Sequence, residues 1–147
     1  MFENEKEEMK MEEMLAGWKT DPRDVKAAFV GLKKNLEGKK DTVLSFNARP
    51  GITYSLRATV KEPAVGDKPM FVMVDVIDDD PEDRWLSVCF FGDMITDPDE
   101  LGDFVPGGLL GEDAHCFDYD NQDEDLLSYI AQRMDEAHRY MSGGNGE

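Results

Sequence analysis

Carboxylates are the commonest side chains in this sequence that could do chemistry, and they are densest in two short runs. One run follows the third predicted strand and the other follows the fifth. Because antiparallel neighbours alternate in direction, both runs are expected at the same end of the sheet. Clustered carboxylate oxygens are the ligands that Ca²⁺ and Mg²⁺ prefer. The sequence therefore gives a candidate metal site that comprises Asp78, Asp79, Asp80, Asp118 and Asp120.

The second run matches only the beginning of a calcium-binding loop. Asp118-x-Asp120-x-Gln122 has the spacing that opens an EF-hand loop, but Asp123 stands where that loop needs glycine, and Tyr129 where it needs glutamate. The alternative is a solvated acidic rim followed by a helix N-cap, since surface acids commonly keep proteins soluble. We favour the rim, and we expect no cofactor beyond weak binding of a divalent cation.

A second candidate site contains Cys89, His115 and Cys116. A cysteine–histidine cluster can bind zinc or can pair a nucleophile with a base. However, His115 and Cys116 are neighbours on a predicted strand, so their side chains should point to opposite faces of the sheet. No C-x₂-C spacing is present, and nothing requires His138 to approach. We therefore expect both cysteines to be buried thiols.

A third candidate is the apolar, glycine-rich segment from Phe104 to Gly111. It has neither the G-x-x-x-x-G-K-[ST] nor the G-x-G-x-x-G pattern of a phosphate-binding loop. We predict an irregular loop here, preceded by a helical turn at 97–101. Such a loop covers part of the core, acts as a lid or contacts a partner, and covering and partner contact are about equally favoured. Its candidate partner contacts are Phe104, Leu109 and Leu110.

The fourth candidate is an apolar stripe near the N-terminus. Met11, Met14, Leu15 and Trp18 recur at the spacing of one helical face. Methionine-rich faces suit adaptable protein contacts. Met11, Met14 and Trp18 are therefore candidate binding residues that dock either on their own domain or on a partner.

The elements that must position these residues follow from hydrophobic periodicity. Alternation predicts strands, and a repeat near 3.6 residues predicts helices. The sequence predicts helices at 4–18, 21–36 and 121–143, four consecutive strands at 44–48, 52–60, 70–77 and 85–91, and a fifth strand at 114–119. Asp21 is the predicted cap of the second helix, with Pro22 as its first residue.

This order of elements defines the fold class. Consecutive strands with short joints predict an antiparallel sheet of about five strands. Helices at both ends of the sequence should cover one face, which gives a two-layer α+β sandwich. We predict a Met-rich amphipathic helix at 1–19, a single domain at 20–143 and a loose tail at 144–147.

The charge is distributed unevenly along the 147 residues. The formal net charge is −17, and residues 73–147 contain three Arg against 21 acidic residues, whereas residues 21–72 contain ten Lys or Arg against six. Such acidity disfavours nucleic acid and anionic membranes as partners. The N-terminus has no apolar segment typical of a secretory signal, so the expected location is the cytoplasm.

Two families are similar in element order. The short turn at 97–101 and the acidic last helix resemble type III secretion chaperones, which implies a small acidic dimer that binds a peptide. Trp85-Leu86-Ser87 is similar to a strand of frataxin, although the Ser-Pro and Gly-Pro steps of that family do not follow. No motif extends either resemblance, and we assign no family from the sequence.

The function expected from the sequence is therefore a non-enzymatic protein-binding or adaptor module, with a protein partner or a second copy as its ligand. A homodimer would bring the basic residues Lys33, Lys34, Lys39 and Lys40 of one copy to the acidic half of another. The alternatives are a divalent-cation-binding protein and an enzyme whose site lies under the 104–111 loop and uses His115 or Cys116.

Overall fold

The computed structural model describes residues 1–64 and 68–143. The predicted tail at 144–147 lies outside these residues, as does part of the loop before the third strand. The elements in chain order are α1 (Glu5–Gly17), α2 (Lys26–Glu37), β1 (Thr42–Arg49), β2 (Thr53–Val60), β3 (Val72–Ile77), β4 (Trp85–Phe91), a 3₁₀ turn (Gly92–Met94), β5 (Asp103–Leu109), β6 (Glu112–Tyr119) and α3 (Glu124–Ser142).

The six strands form one antiparallel sheet in the order β1-β2-β3-β4-β6-β5. The first four strands follow one another as a meander. Its first turn is the predicted one, because Gly51 has a φ of 86° and the N–H of Ile52 donates to the carbonyl of Arg49 at 2.9 Å. After β4 the chain crosses to the outside before returning as β6. Consequently β1 and β5 are the two edges.

The helices and the sheet form the predicted two-layer α+β sandwich. Alternate residues of the strands build the helix-facing core, and Leu56, Val74 and Val88 in the central strands are fully buried. Tyr129 of α3 packs edge-on against Phe117 of β6, with ring centroids 5.9 Å apart. The opposite face of the sheet carries polar residues such as Asn47, Arg57, Asp75 and Ser87.

Side-chain caps fix the helix beginnings. Asn4 accepts hydrogen bonds from the N–H groups of Lys6 and Glu7, and Asp123 accepts one from Leu126. The predicted beginning of α2 is wrong, because its N-cap is Val25 and its first residue is Lys26, instead of Asp21 and Pro22. The Asp21 carboxylate accepts from the N–H groups of Val25 and Lys26 at 3.0 Å, so the helix begins at Lys26.

The prediction of a loop at 104–111 is also wrong, because Asp103–Leu109 forms strand β5, which brings the number of strands in the described residues to six. Pro106 and its glycine neighbours lower strand propensity, yet an edge strand tolerates both, and a bulge interrupts the pairing between Val105 and Leu109. Residues 97–101 form a tight turn instead of a helical one, closed by a hydrogen bond from Glu100 N–H to the Asp97 carbonyl at 3.0 Å.

The N-terminal helix docks on its own domain. Met11, Met14 and Trp18 expose 0%, 6% and 2% of their surface, and they belong to the same buried cluster as the sheet. Trp18 packs against Phe29 of α2 with ring centroids 6.4 Å apart. Their burial therefore accounts for the methionine stripe without a partner protein.

Within the described ranges, no helix combines the length and apolarity needed to cross a membrane.

Candidate protein-binding edge

One edge of the sheet is closed by the N-terminal segment of the chain. Leu44 N–H on β1 donates to the Met1 carbonyl at 2.7 Å, and Phe46 N–H donates to a carboxylate oxygen of Glu7 at 2.8 Å. Phe2 also forms a parallel bridge with Leu44. These contacts satisfy outward-facing donors of β1, so this edge does not offer its full backbone ladder to another strand.

The edge of β5 is open, and its register shows which backbone groups face outward. Cys89 and Cys116 are opposed with Cα atoms only 4.1 Å apart, which is typical of a non-hydrogen-bonded antiparallel pair. The backbone groups of Cys116 therefore point toward β5, where they pair with Asp103. The next residue, Phe104, alternates, so its N–H and carbonyl point away from the sheet.

Four large apolar side chains in the segment 101–110 are exposed. Leu101, Phe104, Val105 and Leu110 expose 52%, 59%, 37% and 64% of their surface. Phe104 and Val105 lie on β5 and Leu101 lies just before it, whereas Leu110 lies beside Arg57 and Met70. We call the backbone of β5 and the side chains of Leu101, Phe104 and Val105 the β5 edge. Leu109, by contrast, is 2% exposed and belongs to the core. Two of the three predicted contacts in this segment, Phe104 and Leu110, are therefore available to a partner.

The carboxylate of Asp97 holds the turn that leads into β5. It accepts the N–H groups of Leu101 and Gly102, each at 3.0 Å, lies 2.7 Å from His115 Nε2, and accepts the hydroxyl of Tyr129. The Asp97 side chain is 8% exposed. Since His115 lies on β6 and Tyr129 on α3, one side chain joins the turn to both layers of the fold.

The electrostatics of Asp97 favour its charged form. Burial acts to raise the pKa of Asp97, but hydrogen bonds from Tyr129, Gly102, His115 and Leu101 outweigh burial and hold that pKa well below its usual range. Burial and the bond to Asp97 raise the pKa of Tyr129, which keeps its hydroxyl a donor. The cluster therefore works as a structural anchor for the turn.

A second contact holds the same turn on α3. Thr96 donates its N–H and its hydroxyl to the carboxylate of Glu136, at 3.0 and 2.6 Å. Asp99 N–H donates to the hydroxyl of Tyr129 at 3.1 Å. Together with the bonds to Asp97, these bonds hold the turn before β5 against α3 and β6. They therefore fix the position at which β5 begins.

A concavity of about 400 Å³ lies beside Phe104. It is lined by Phe91, Gly92, Asp93, Phe104, Glu112 and Asp113. His115 and Cys116, the residues expected in an enzyme site under this segment, do not line it. Asp93 and Asp113 are exposed carboxylates, whereas Glu112 accepts a hydrogen bond from Lys68 at 2.5 Å. The concavity is thus acidic with an aromatic wall.

A second concavity, of about 420 Å³, lies between α2 and α3. It is lined by small and apolar residues such as Ala27, Gly31, Leu127 and Ala131. This helical groove is a second concave surface on the same domain, and a probe placed in it can serve as the control for a probe at the β5 edge.

The two cysteines form a disulfide, so the prediction of buried thiols is wrong. Cys89 on β4 and Cys116 on β6 lie opposite each other on the face of the sheet away from the helices. The spacing of 27 residues did not reveal this pairing, because it depends on β6 lying directly beside β4. His115 points to the opposite face, as predicted.

The predicted metal ligands are only partly brought together. The runs do lie at the same end of the sheet, since Ile77 is opposite Trp85 and Leu86 is opposite Tyr119. Asp78, however, is 2% exposed and forms an ion pair with Arg84 at 2.6 Å. It also accepts the N–H of Gly51 at 2.8 Å. Asp78 is thus used inside the fold.

The other predicted ligands lie at the surface. Asp79, Asp80 and Asp120 are exposed, and burial together with the charges of Asp103 and Asp120 raises the pKa of Asp118. Among residues 1–64 and 68–143, no group of three or more His, Cys, Asp or Glu side chains is arranged to hold a metal ion.

Two residues of the β5 edge, and the residue that anchors the turn before it, were not identified as site residues from the sequence. Leu101 and Val105 lie in a segment that carries no strand periodicity, and Asp97 was one carboxylate among many. The Asp97-Pro98 step was the available signal, because aspartate before proline favours a turn whose N–H groups its side chain can accept.

Comparison with known protein families, with characterised proteins and with solved structures finds no match to this chain. The fold and the site therefore define it only as an α+β domain with one open sheet edge.

Proposed function

We propose that this chain is a non-enzymatic protein-binding module that engages its partner through the β5 edge. The observation that carries the proposal is the contrast between the two edges. The N-terminus occupies β1, whereas β5 exposes its backbone, with the exposed apolar side chains of Leu101, Phe104 and Val105 on or beside it. An exposed apolar edge strand is a template for pairing with another chain.

Binding at such an edge follows from ordinary strand chemistry. An incoming extended segment forms main-chain hydrogen bonds with the outward groups of β5, and its side chains contact Phe104 and Val105 on the two faces. The anchored turn reduces the conformational entropy lost on binding, because Asp97 already holds Gly102 in place. Pro106 and the bulge limit the pairing to a few residues, which favours a reversible interaction.

A homodimer is one version of this proposal. The charge pairing expected for it is partly used within the chain, since Lys33 pairs with Glu37 and Lys39 pairs with Asp135. Lys34 and Lys40 are exposed. Light scattering at two salt concentrations tests self-association directly. A strict monomer at micromolar concentration, unchanged by salt, would exclude the homodimer and leave a different protein as the partner.

Weak divalent-cation binding is the second candidate function. The observation that favours it is the mutual repulsion of Asp103, Asp118 and Asp120, which a cation would relieve. Calorimetry with Ca²⁺, Mg²⁺, Fe²⁺ and Zn²⁺ tests it. Binding heat, or a rise in melting temperature beyond that produced by monovalent salt of equal ionic strength, supports the candidate. Their absence rejects it.

Cytoplasmic location remains a prediction. The disulfide between Cys89 and Cys116 argues against a cytoplasmic location, because structural disulfides are more typical of oxidising compartments. Fractionation of the native cell would locate the protein.

The proposal is tested by placing a photo-crosslinking amino acid at position 104 in the native cell. The matched variant carries it at position 27, an exposed position in the helical groove. We expect a discrete protein adduct from position 104 and none from position 27. No adduct from position 104, or an adduct only from position 27, would contradict binding at the β5 edge.

A further inference from the structure

We infer that the occupant of the β5 edge is an extended, basic segment of another protein, added to the sheet as a seventh strand beside β5. This inference rests on the proposed function and specifies the chemistry of the partner. It follows from the hydrogen-bonding groups of the edge, from the charges around it and from the concavity beside Phe104.

The open backbone offers few N–H donors. In the paired part of β5, Phe104 lies opposite His115 with its own N–H and carbonyl outward, and a bulge interrupts the pairing after Val105. The N–H of Gly102, just before β5, already donates to Asp97, and Pro106 in the bulge has no N–H. A partner that brings additional donors, as lysine and arginine side chains do, suits an edge with a single outward N–H in its paired part.

The charges around the edge that form no ion pair within the described residues are negative. Asp93, Asp99, Glu100, Asp103 and Asp113 are exposed, and none of them forms an ion pair with the described residues. A basic segment would be attracted to this field, and its approach would be accelerated at low salt. An acidic segment would be repelled.

The same charges disfavour a second copy at this edge. Symmetric pairing of two β5 strands would bring both sets of carboxylates together, and Lys68 beside the concavity already pairs with Glu112. Like charges across an interface oppose association. The edge therefore fits a partner of opposite charge better than it fits itself.

The concavity beside Phe104 provides a place for one basic side chain. Phe104 forms an aromatic wall, and Asp93 and Asp113 contribute carboxylates. A lysine or arginine there can contact the face of the ring while its charge meets the carboxylates. Asp93 accepts the hydroxyl of Tyr140 at 3.3 Å, and Asp113 accepts the N–H of Gly107 at 3.1 Å, so both carboxylates have a fixed position.

The test measures binding of short synthetic peptides to the full chain by fluorescence anisotropy. One peptide alternates valine with lysine, a second alternates valine with glutamate, and a third alternates valine with serine. We expect the lysine peptide to bind most tightly and to weaken as salt is raised, because its charges are screened. The serine peptide should bind weakly, and the glutamate peptide should not bind.

Two variants of Phe104 separate the contribution of its outward N–H to peptide binding from the contribution of its ring. Phe104→Ala keeps the outward N–H and removes the ring, whereas Phe104→Pro removes both without breaking the ladder to β6, since that N–H points outward. We expect Phe104→Pro to weaken the lysine peptide about tenfold more than Phe104→Ala does, a ratio that corresponds to one lost hydrogen bond. Thermal melting checks that both variants are folded.

The charge contribution has its own matched pair. Asp93→Asn keeps an acceptor for Tyr140 and removes one charge from the concavity, and Asp79→Asn removes a charge at the acidic run that follows β3. We expect only Asp93→Asn to weaken the lysine peptide and to reduce its salt dependence.

The following results would overturn the inference. They are equal binding of the three peptides, preference for the glutamate peptide, binding that Phe104→Pro leaves unchanged, and a dimer that Phe104→Pro dissociates. Absence of binding by every peptide also overturns it. The proposed function stands or falls separately, on the crosslink from position 104.

Discussion

The carboxylate of Asp97 lies 2.7 Å from Nε2 of His115, and this contact joins the turn before β5 to the adjacent strand β6. The same carboxylate also accepts the N–H of Gly102. The position of the open edge therefore depends on a side chain that does not itself face a partner.

Replacing Asp97 by alanine should destabilise the fold and loosen β5. The change leaves the Tyr129 hydroxyl and two backbone N–H groups without their acceptor, which we expect to cost about 2–4 kcal/mol. Chemical denaturation measures the loss. The exposed Asp99 provides the control, since Asp99→Asn should leave the free energy of unfolding unchanged.

The pH dependence of stability tests the same anchor. Because the pKa of Asp97 is lower in the folded state than in the unfolded chain, its contribution is fully present above about pH 4 and is lost as pH falls through the folded pKa. Between pH 5 and pH 2, the wild type should therefore lose more stability than Asp97→Asn. Parallel curves for the two proteins would contradict the assignment.

Breaking the buried ion pair between Asp78 and Arg84 should lower the free energy of unfolding more than breaking the more exposed pair between Arg23 and Asp83. Arg84→Met leaves the 2%-exposed Asp78 without a cation and should cost about 3–5 kcal/mol. Arg84 also lies over the rings of Trp18 and Tyr54.

The double variant Asp78→Asn/Arg84→Met should be more stable than Arg84→Met alone, because it removes the uncompensated charge. Arg23→Met breaks the more exposed pair with Asp83, whose side chains are 32% and 44% exposed, and should have the smallest effect. Denaturation of the four proteins decides the order.

The disulfide should stabilise the chain measurably. Closing a loop between residues 27 apart corresponds to about 3–4 kcal/mol of unfolded-state entropy. A dithiol reductant should therefore lower the melting temperature of the wild type and leave that of Cys89→Ser/Cys116→Ser unchanged. If a thiol assay of the wild type without reductant finds two free thiols, Cys89 and Cys116 are not bonded to each other.

The charged form of Asp75, on the face of the sheet away from the helices, should destabilise the fold, whereas that of Asp97 stabilises it. Burial raises the pKa of Asp75, against the Ser55 hydroxyl and the charge of Arg57, and its Oδ1 is buried without a hydrogen-bond partner among the described residues. Asp75→Asn should therefore stabilise the fold at neutral pH. This gain should decrease once pH falls below the raised pKa and should be absent below the ordinary pKa of an aspartate, because the wild-type carboxyl is then neutral in both the folded and the unfolded state. Asp79→Asn at an exposed position should show no such gain.

Hydrophobic periodicity predicted the two-layer fold and the strand β1 at one edge of the sheet, but it missed the strand β5 at the other edge. Strands with regular alternation, such as β2, were identified because one face is buried and the other is solvated. β5 was missed because its proline and glycines lower strand propensity, and its apolar side chains face solvent. The missed features were those set by tertiary arrangement.

The candidate site shows the same division. The apolar character of Phe104 and Leu110 marked the segment, but their exposure depends on β5 lying outside β6. The stripe of Met11, Met14 and Trp18 had the same sequence signal, and it is buried. Composition therefore identified apolar segments, and only the fold distinguished the segment that faces solvent.

Amide hydrogen exchange at Phe104, measured by NMR on the free chain at low concentration, tests the central claim most directly. If β5 is an open edge, the Phe104 amide exchanges rapidly, whereas the amides of Asp103 and Val105, which face β6, are protected. Protection of Phe104 equal to that of its two neighbours would show that the edge is already covered, and would contradict the account.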